Sequence, residues 1–359
     1  MAGVVEEPVA AATFAALTRP KADRTLFVFD LGGGTLDATL LQSTPEGLYV
    51  LATEGSDNLG GRNFDELIMN LVRAQYRDQH RAEPGEDRDT QQRIRRLATR
   101  MKLELAQPQT SVASHPVVIG GRTLRVTVNR GNFESLAEPW LEACKEVCER
   151  VLAAARISWP QIDELILTGG SSQLPCVERR LRNLSGLAPE RITRSHPRAS
   201  VVYGVALLAQ QLYGDKPTQA PPLLQSVSTN EPGLRVLDPQ RQMRVFEPMI
   251  PKNVPLPTEN GRIFYADTRS TGSVMLEVMQ RKDSFLDPET LGEHVFAGLP
   301  KGHASRAMEI ILGYDRDGRV TVRALDVQSG QRMEASMSDE AESDLIDLRQ
   351  QLERLPLLG

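Results

Sequence analysis

The stretch that most narrows what this chain can fold into covers residues 25–41, TLFVFDLGGGTLDATLL. An apolar run (Leu26, Phe27, Val28, Phe29) reaches Asp30, turns through Gly32, Gly33 and Gly34, and returns through Leu36, Ala38, Leu40 and Leu41. Two apolar runs joined at a glycine turn predict a β-hairpin. A two-residue turn needs one or two glycines, so a third asks for another reason. Without Cβ atoms the backbone can come close to an anion, and successive N–H groups in such a turn form a concave nest for one. The tip is therefore a candidate phosphate cradle. Asp30 and Asp37 stand on either side of it, placed to hold Mg²⁺ through water, because Mg²⁺ takes carboxylate oxygens and keeps much of its hydration shell. No Gly-Lys-Ser/Thr follows, as a Walker A loop requires, and the glycines open a strand rather than a helix, unlike a dinucleotide fingerprint.

A second stretch repeats this chemistry in another form. Residues 162–185 read IDELILTGGSSQLPCVERRLRNLS. A short apolar strand, Leu165 to Leu167, ends in Thr168, Gly169, Gly170, Ser171 and Ser172, and a helix starts near Pro175. Strand, glycine turn and helix N-terminus together place free N–H groups and positive partial charge beside an anion. Two such corners in one lobe reinforce each other.

The rest of the first half reads as ordinary α/β text. A short alanine-rich helix spans about residues 8–17, residues 48–55 form a third strand, and apolar residues at helical spacing mark residues 64–76 and 91–106. Asn58, Leu59, Gly60 and Gly61 read as a loop feeding the first of these helices. In the second, Arg93, Arg95, Arg96 and Arg100 read as a solvated face. Residues 112–119 and 122–128 bracket Gly120 and Gly121 as a hairpin, Asn132 is expected to cap a long helix to Ala155 broken locally by Pro139, and residues 199–212 close the lobe as an apolar helix. Cys144, Cys148 and Cys176 are an odd number with no histidine near the first two, which predicts buried reduced thiols rather than a metal site or disulfide.

Composition then narrows the function. With 40% hydrophobic and 25% charged residues the chain is globular, and a net charge of −5 with both signs interspersed gives no footprint for nucleic acid. The first twenty residues carry Glu6 and Glu7 and no basic segment, so neither a signal peptide nor a membrane span is read there, and a cytoplasmic location is expected. From Asp215 the text DKPTQAPPLLQ loses periodicity and gains three prolines, a linker. Beyond it short runs alternate with period two, around residues 234–236, 263–265, 274–278, 307–311 and 320–322, predicting an antiparallel β-sandwich. From Ser338 an acidic first turn starts a helix.

Side by side, these pieces resemble the 70-kDa heat-shock (DnaK-type) chaperone family. EEPVAAA at residues 6–12, FDLGGGTLD at 29–37, LGGRNFD at 59–65, TGGSSQLP at 168–175 and VVYGVALLA at 201–209 are similar, in order, to that family's nucleotide-domain motifs. IPKNVPLPT at 250–258, LGEHVFAGLP at 291–300 and YDRDGRVTVRALDVQSGQ at 314–331 are similar to landmarks of its substrate domain. The resemblance implies an α/β actin-like ATPase half-domain (the second lobe, residues 1–213, with an inserted subdomain over 58–132), a proline-rich linker over 214–226, an antiparallel β-sandwich substrate-binding domain over 227–337 and the start of a helical lid over 338–359. The family's first lobe would precede Met1.

By the same resemblance the cofactors are ATP or ADP with Mg²⁺. The nucleotide-binding residues are Gly32, Gly33, Gly34, Thr35, Lys102, Gly169, Gly170, Ser171 and Ser172, with Asp30 and Asp37 on the metal; no catalytic residue is singled out. Val274 matches the family's pocket-lining valine, and Ala266 a residue arching over bound peptide. Several positions depart from the family pattern. Among the adenosine contacts, Thr99 replaces a glutamate and Ala106 a serine, while Lys102 and Leu103 complete the set. Gln173 replaces an arginine, Arg198 an aspartate and Asn230 a methionine. The implied activity is ATP-dependent binding and release of exposed hydrophobic peptide segments in protein folding and the stress response, with weak or negligible hydrolysis by this chain alone. Implied partners are such peptides together with J-domain and nucleotide-exchange co-chaperones, and neither nucleic acid nor membrane. Two alternatives stay open, a non-enzymatic peptide-binding adaptor and an internal-start fragment of a longer chaperone ATPase.

Overall fold

In the computed structural model the described residues are 5, 7–18, 23–194, 199–213, 223–238, 240–268, 272–282, 286–302, 305–316, 318–336 and 357–358. The chain divides into two compact units, Val5–Leu224 and, in the main, Gln225–Gly359.

In the first unit α1 (Glu7–Thr18) leads into β1 (Arg24–Leu31), β2 (Leu36–Ser43) and β3 (Gly47–Ser56), a meander that begins with the predicted hairpin. Next come α2 (Gly61–His80), α3 (Arg88–Leu105), the hairpin β4 (Val112–Ile119) with β5 (Arg122–Asn129), and α4 (Arg130–Leu136) followed by α5 (Glu138–Ala155). Then β6 (Glu164–Thr168), α6 (Pro175–Ser185), β7 (Ile192–Thr193), α7 (Ser200–Tyr213) and β8 (Leu223–Gln225) follow. The main sheet has the order β7-β6-β1-β2-β3-β8. Leu26, Phe27, Val28 and Phe29 in β1 are all fully buried, so both faces of that strand are covered. Against the sheet lie α1, on β1 and β2, and α5, on β2 and β3.

Two features of this sheet place the site. The hairpin register puts Asp30 opposite Asp37 and Leu31 opposite Leu36, which leaves residues 32–35 as the tip. Strand β6 runs parallel to β1 with Thr168 beside Asp30, so the glycine corner that follows β6 emerges next to that tip. At the other end a buried ion pair, Arg24 to Glu164 at 2.8 Å, ties the same two strands.

One boundary differs from expectation. The cap is Asn129, whose side-chain oxygen accepts the Gly131 N–H at 2.8 Å, not Asn132, and the helix is two helices that meet at Ala137. Pro139 has no N–H to give a continuing helix but fits the first turn of a new one. The three thiols are buried and unpaired with one another. Burial pushes Cys144 up to about 12 and Cys176 up to about 11, so neither ionises near neutrality.

The second unit contains β9 (Glu231–Asp238), β10 (Met243–Pro248), β11 (Thr258–Ala266), β12 (Val274–Arg281), β13 (Glu289–Phe296), β14 (Arg306–Tyr314), β15 (Val320–Asp326), β16 (Arg332–Ser336) and β17 (Leu357–Leu358). They form one path, β13-β12-β9-β17-β11-β14-β15-β16, with β10 paired to β9. Alternation is visible in β15, where Val320, Val322 and Ala324 are buried and the residues between them less so. Its core joins Leu234, Val236, Phe264, Leu276, Val278 and Ile310, among others. The buried Arg306 reaches Asp326 with Nε to Oδ1 at 2.9 Å. Most of the expected linker, residues 214–222, and most of the expected lid, residues 338–356 and 359, lie outside the described residues. Leu357 and Leu358, which the sequence reading assigned to the lid, form a strand.

Candidate functional site

The two glycine corners meet. Ser171, in the short 3-10 turn after β6, donates its hydroxyl to the Gly32 carbonyl at 2.9 Å. A third loop joins them: the Gly61 N–H donates to the same Gly32 carbonyl at 2.9 Å, and the Arg62 N–H to the Gly33 carbonyl at 2.8 Å. The tip is closed by the Gly32 N–H on the Thr35 carbonyl at 3.0 Å. Among the described residues, the N–H groups of Gly33 and Gly34 have no acceptor.

Glycine is needed where these loops touch. A Cβ on Gly60 would lie 2.5 Å from the Gly34 carbonyl carbon, and one on Gly61 2.5 Å from Ser171 Oγ. Gly169 has φ +79°, and a Cβ there would strike the Leu31 carbonyl. A Cβ on Gly33 or on Gly170 would meet nothing within 4 Å, so one glycine of each corner fronts open space. Backbone donors free to point at a ligand, beside space that no side chain fills, are what a phosphate cradle requires. Ser172 is spent locally, donating to the Gly169 carbonyl at 2.7 Å, which fixes the turn.

Lys102, on α3 and only 8% exposed, donates to the Gly61 carbonyl at 2.9 Å and pairs with Asp65 at 2.9 Å. Its charge is committed to bracing the third loop. Of the other adenosine positions implied by resemblance, Thr99 and Leu103 line an open groove of about 810 Å³ together with Arg95, Arg96 and Arg100, and Ala106 caps α3. Lys102 is not part of that lining. Gln173 lies in the 3-10 turn, and Arg198 lies outside the described residues.

The two aspartates sit at the base of the tip. Asp30 is 8% exposed and its carboxyl is pushed up to about 6, first by burial and then by the charges of Glu7 and Asp37. Asp37 is raised by burial, then by Asp57 and Glu7, against an opposing hydrogen bond from Thr35. Carboxylates held together at a cost lower their energy by sharing a cation. Among the described residues no three His, Cys, Asp or Glu side chains group to ligate a metal directly.

Gly60, Gly61, Arg62 and Asp65 were not foreseen as part of the site. Arg62 is exposed, its guanidinium overlies Gly34, and it has no carboxylate partner among the described residues. Glycines immediately before a helix were the available signal, the same pattern that marked Gly169 and Gly170.

In the second unit Ala266 ends β11 and Val274 begins β12, 1% and 3% exposed. The Asn230 amide donates to Gln280 Oε1 at 3.0 Å.

The HSP70 family profile, described as Hsp70 protein, matches residues 1–353. This chain belongs to the Hsp70 family. It is similar to the chaperone protein DnaK of Thermosipho melanesiensis, 29% identical over 334 residues, covering 91% of this chain and 55% of that protein. It is also similar to the DnaK of Thermotoga neapolitana, 28% over 358 residues (98% and 59%), and to heat shock 70 kDa protein 6, chloroplastic, of Arabidopsis thaliana, 29% over 341 residues (93% and 46%). The chain spans about half the length of these relatives. No described helix is long and apolar enough to cross a membrane.

Proposed function

We propose that the chain is a chaperone whose first unit (residues 1–213) is the second lobe of an actin-like nucleotide domain, with residues 58–132 inserted in it. A linker over 214–226, a peptide-binding β-sandwich over 227–337 and the start of a lid from residue 338, ending before the strand Leu357–Leu358, would follow. The function is binding and release of extended hydrophobic segments under the control of ATP and ADP with Mg²⁺. The hydrogen bond from Ser171 to the Gly32 carbonyl carries this reading, because it brings two phosphate-type corners onto one space.

ATP would supply the phosphoryl group whose presence or loss distinguishes the two states. Gly33, Gly34 and Thr35 would take its phosphates from one corner and Gly170 and Ser171 from the other. Gly32, Gly169 and Ser172 would hold the turns in shape, and Asp30 and Asp37 would hold the hydrated ion. Lys102 acts as a brace on the Gly61 loop. Hydrolysis by this chain alone is expected to be weak, since phosphoryl transfer depends on donors placed around the whole phosphate, and those described lie on loops of a single unit. Ala266 and Val274 would contact the peptide, which such sites hold by backbone pairing with side-chain selection. A cytoplasmic location and work with J-domain and nucleotide-exchange partners belong to the same reading.

A second reading, an adaptor that keeps only the peptide site, is favoured by Thr99 and Ala106, which stand where the resemblance implies a glutamate and a serine on the nucleoside. Calorimetry separates them. Binding of both Mg-ATP and an apolar heptapeptide supports the first, binding of peptide alone supports the adaptor, and binding of neither refutes both.

A further inference from the structure

The path of the second sheet contains a strand with no place in the functional reading so far. Leu357 and Leu358 lie between β9 and β11: Leu358 pairs with Tyr265 and Leu357 with Ala266 in antiparallel sense, and Leu358 pairs with Leu237 in parallel sense. Each neighbour has a free edge at this point. Strand β11 gives its other edge to β14 along its whole length, 258–266. Strand β9 gives one edge to β10, with Leu237 opposite Arg244. On its remaining edge the ladder to β12 ends at Leu234 with Val278. Continued in register, Met275 would stand opposite Leu237, but β12 leaves the ladder first, and the slot is filled by Leu358 instead.

The slot has the properties of a site for an extended apolar segment. It lies between two backbone edges that no strand other than β17 takes among the described residues, it is bounded by Ala266, and Val274 begins the strand that diverges from it. Ile263 and Tyr265, on the outward face of β11, are 57% and 47% exposed, more apolar surface than an ordinary strand leaves to water. Leu357 and Leu358 fill it, and the sequence around them, ERLPLLG over residues 353–359, has three leucines and a single charge of each sign.

We propose that residues 357–358 are an intramolecular occupant of the client slot, adding a strand where a client peptide would add one, so that a client must displace them. This rests on the peptide-binding reading above. Residues 337–356 join the segment to β16 on the same chain, and a ligand tethered in this way acts at an effective concentration on the order of 1 mM. It therefore competes even when its own affinity is low. A site whose open fraction is reduced binds its ligand more weakly by that fraction.

The test uses the whole chain and its Leu357→Pro/Leu358→Pro variant, because proline has no N–H to give a ladder. Labelled ERLPLLG and an unrelated labelled apolar heptapeptide are titrated against both proteins by fluorescence anisotropy, and amide exchange is followed at residues 265–266. The variant should bind both peptides about 2- to 10-fold more tightly, with faster exchange in the absence of peptide at whichever of Tyr265 and Ala266 turns its N–H toward β17 rather than β14. Equal affinities with unchanged exchange overturn the proposal. Faster exchange with equal affinities shows a docked strand that does not compete, which also overturns it. If neither protein binds either peptide, the peptide-binding reading itself has failed, and exchange alone then reports whether the strand docks.

Discussion

Replacing Asp30 with asparagine should stabilise the first unit, by an amount that depends on pH in a defined direction. In the folded chain this carboxyl ionises at about 6 instead of its ordinary 3.8, chiefly because it is buried. Below about pH 3.8 the group is protonated in both folded and unfolded chains and costs nothing. As pH rises the unfolded chain releases the proton first, so the folded state loses ground until about pH 6 and the penalty is then constant. At roughly 1.4 kcal/mol per unit, the full penalty is about 3 kcal/mol. Asparagine keeps the shape without the charge. Urea unfolding followed by tryptophan fluorescence reads the right unit, because the only two tryptophans, Trp140 and Trp159, both belong to Val5–Leu224. The variant should exceed the parent by about 3 kcal/mol at pH 8 relative to their difference at pH 4. Millimolar Mg²⁺ should stabilise the parent and leave the variant unmoved. A pH-independent difference between the two would refute the assignment of a strained carboxylate.

Lys102→Met should lower stability by about 3 kcal/mol, since removing one partner of a buried pair strands the other; urea unfolding by tryptophan fluorescence checks it against Asp65→Asn, and the double variant should cost less than the sum. Gly169→Ala should cost more than Ser171→Ala. The first forces a left-handed residue against the Leu31 carbonyl, whereas the second loses one hydrogen bond worth about 1 kcal/mol, and thermal melts by circular dichroism rank them. Arg62→Ala should weaken Mg-ATP binding several-fold in calorimetry, with a smaller loss in high salt, because an exposed cation acts through screened charge. In the second unit, burial alone would raise Asp326, but hydrogen bonds from Arg306 and Ser329 hold it below its ordinary value. Its contribution is then present above the unfolded pKa and lost as pH falls through the folded one. Asp326→Asn should therefore remove part of the acid-induced destabilisation seen in thermal scans of the whole chain.

Much of this architecture could be read from the chain itself, and the parts that could not share a cause. Strand β1, the glycine tip and the corner after β6 announce themselves because apolar runs and glycines are local signals. Strands β10, β13 and β16 escaped notice: β13 (ETLGEHVF) has one buried residue, and β10 has none, so neither carries a strong alternation. The cap at Asn129 was missed because Asn132, three residues on, offers the same chemistry, and only the backbone angle distinguishes them. At the site, Gly60 and Gly61 were read as a loop because what makes them glycine is contact with Gly34 and Ser171, residues distant along the chain. Strand β17 has two residues and no periodicity to detect.

Helices α1 and α7 lie against each other, and a Cβ on Gly204 would collide with the Ala10 carbonyl. Ala10, Ala11 and Ala12 are buried with it. At that crossing main chain rests on main chain, with the Phe14 and Tyr203 rings packed beside it at 5.4 Å, so the two helices should travel as one plank. A displacement imposed on either would arrive at the other undiminished, and at β1 and β2 beneath them, with the glycine tip at the far end of the lever.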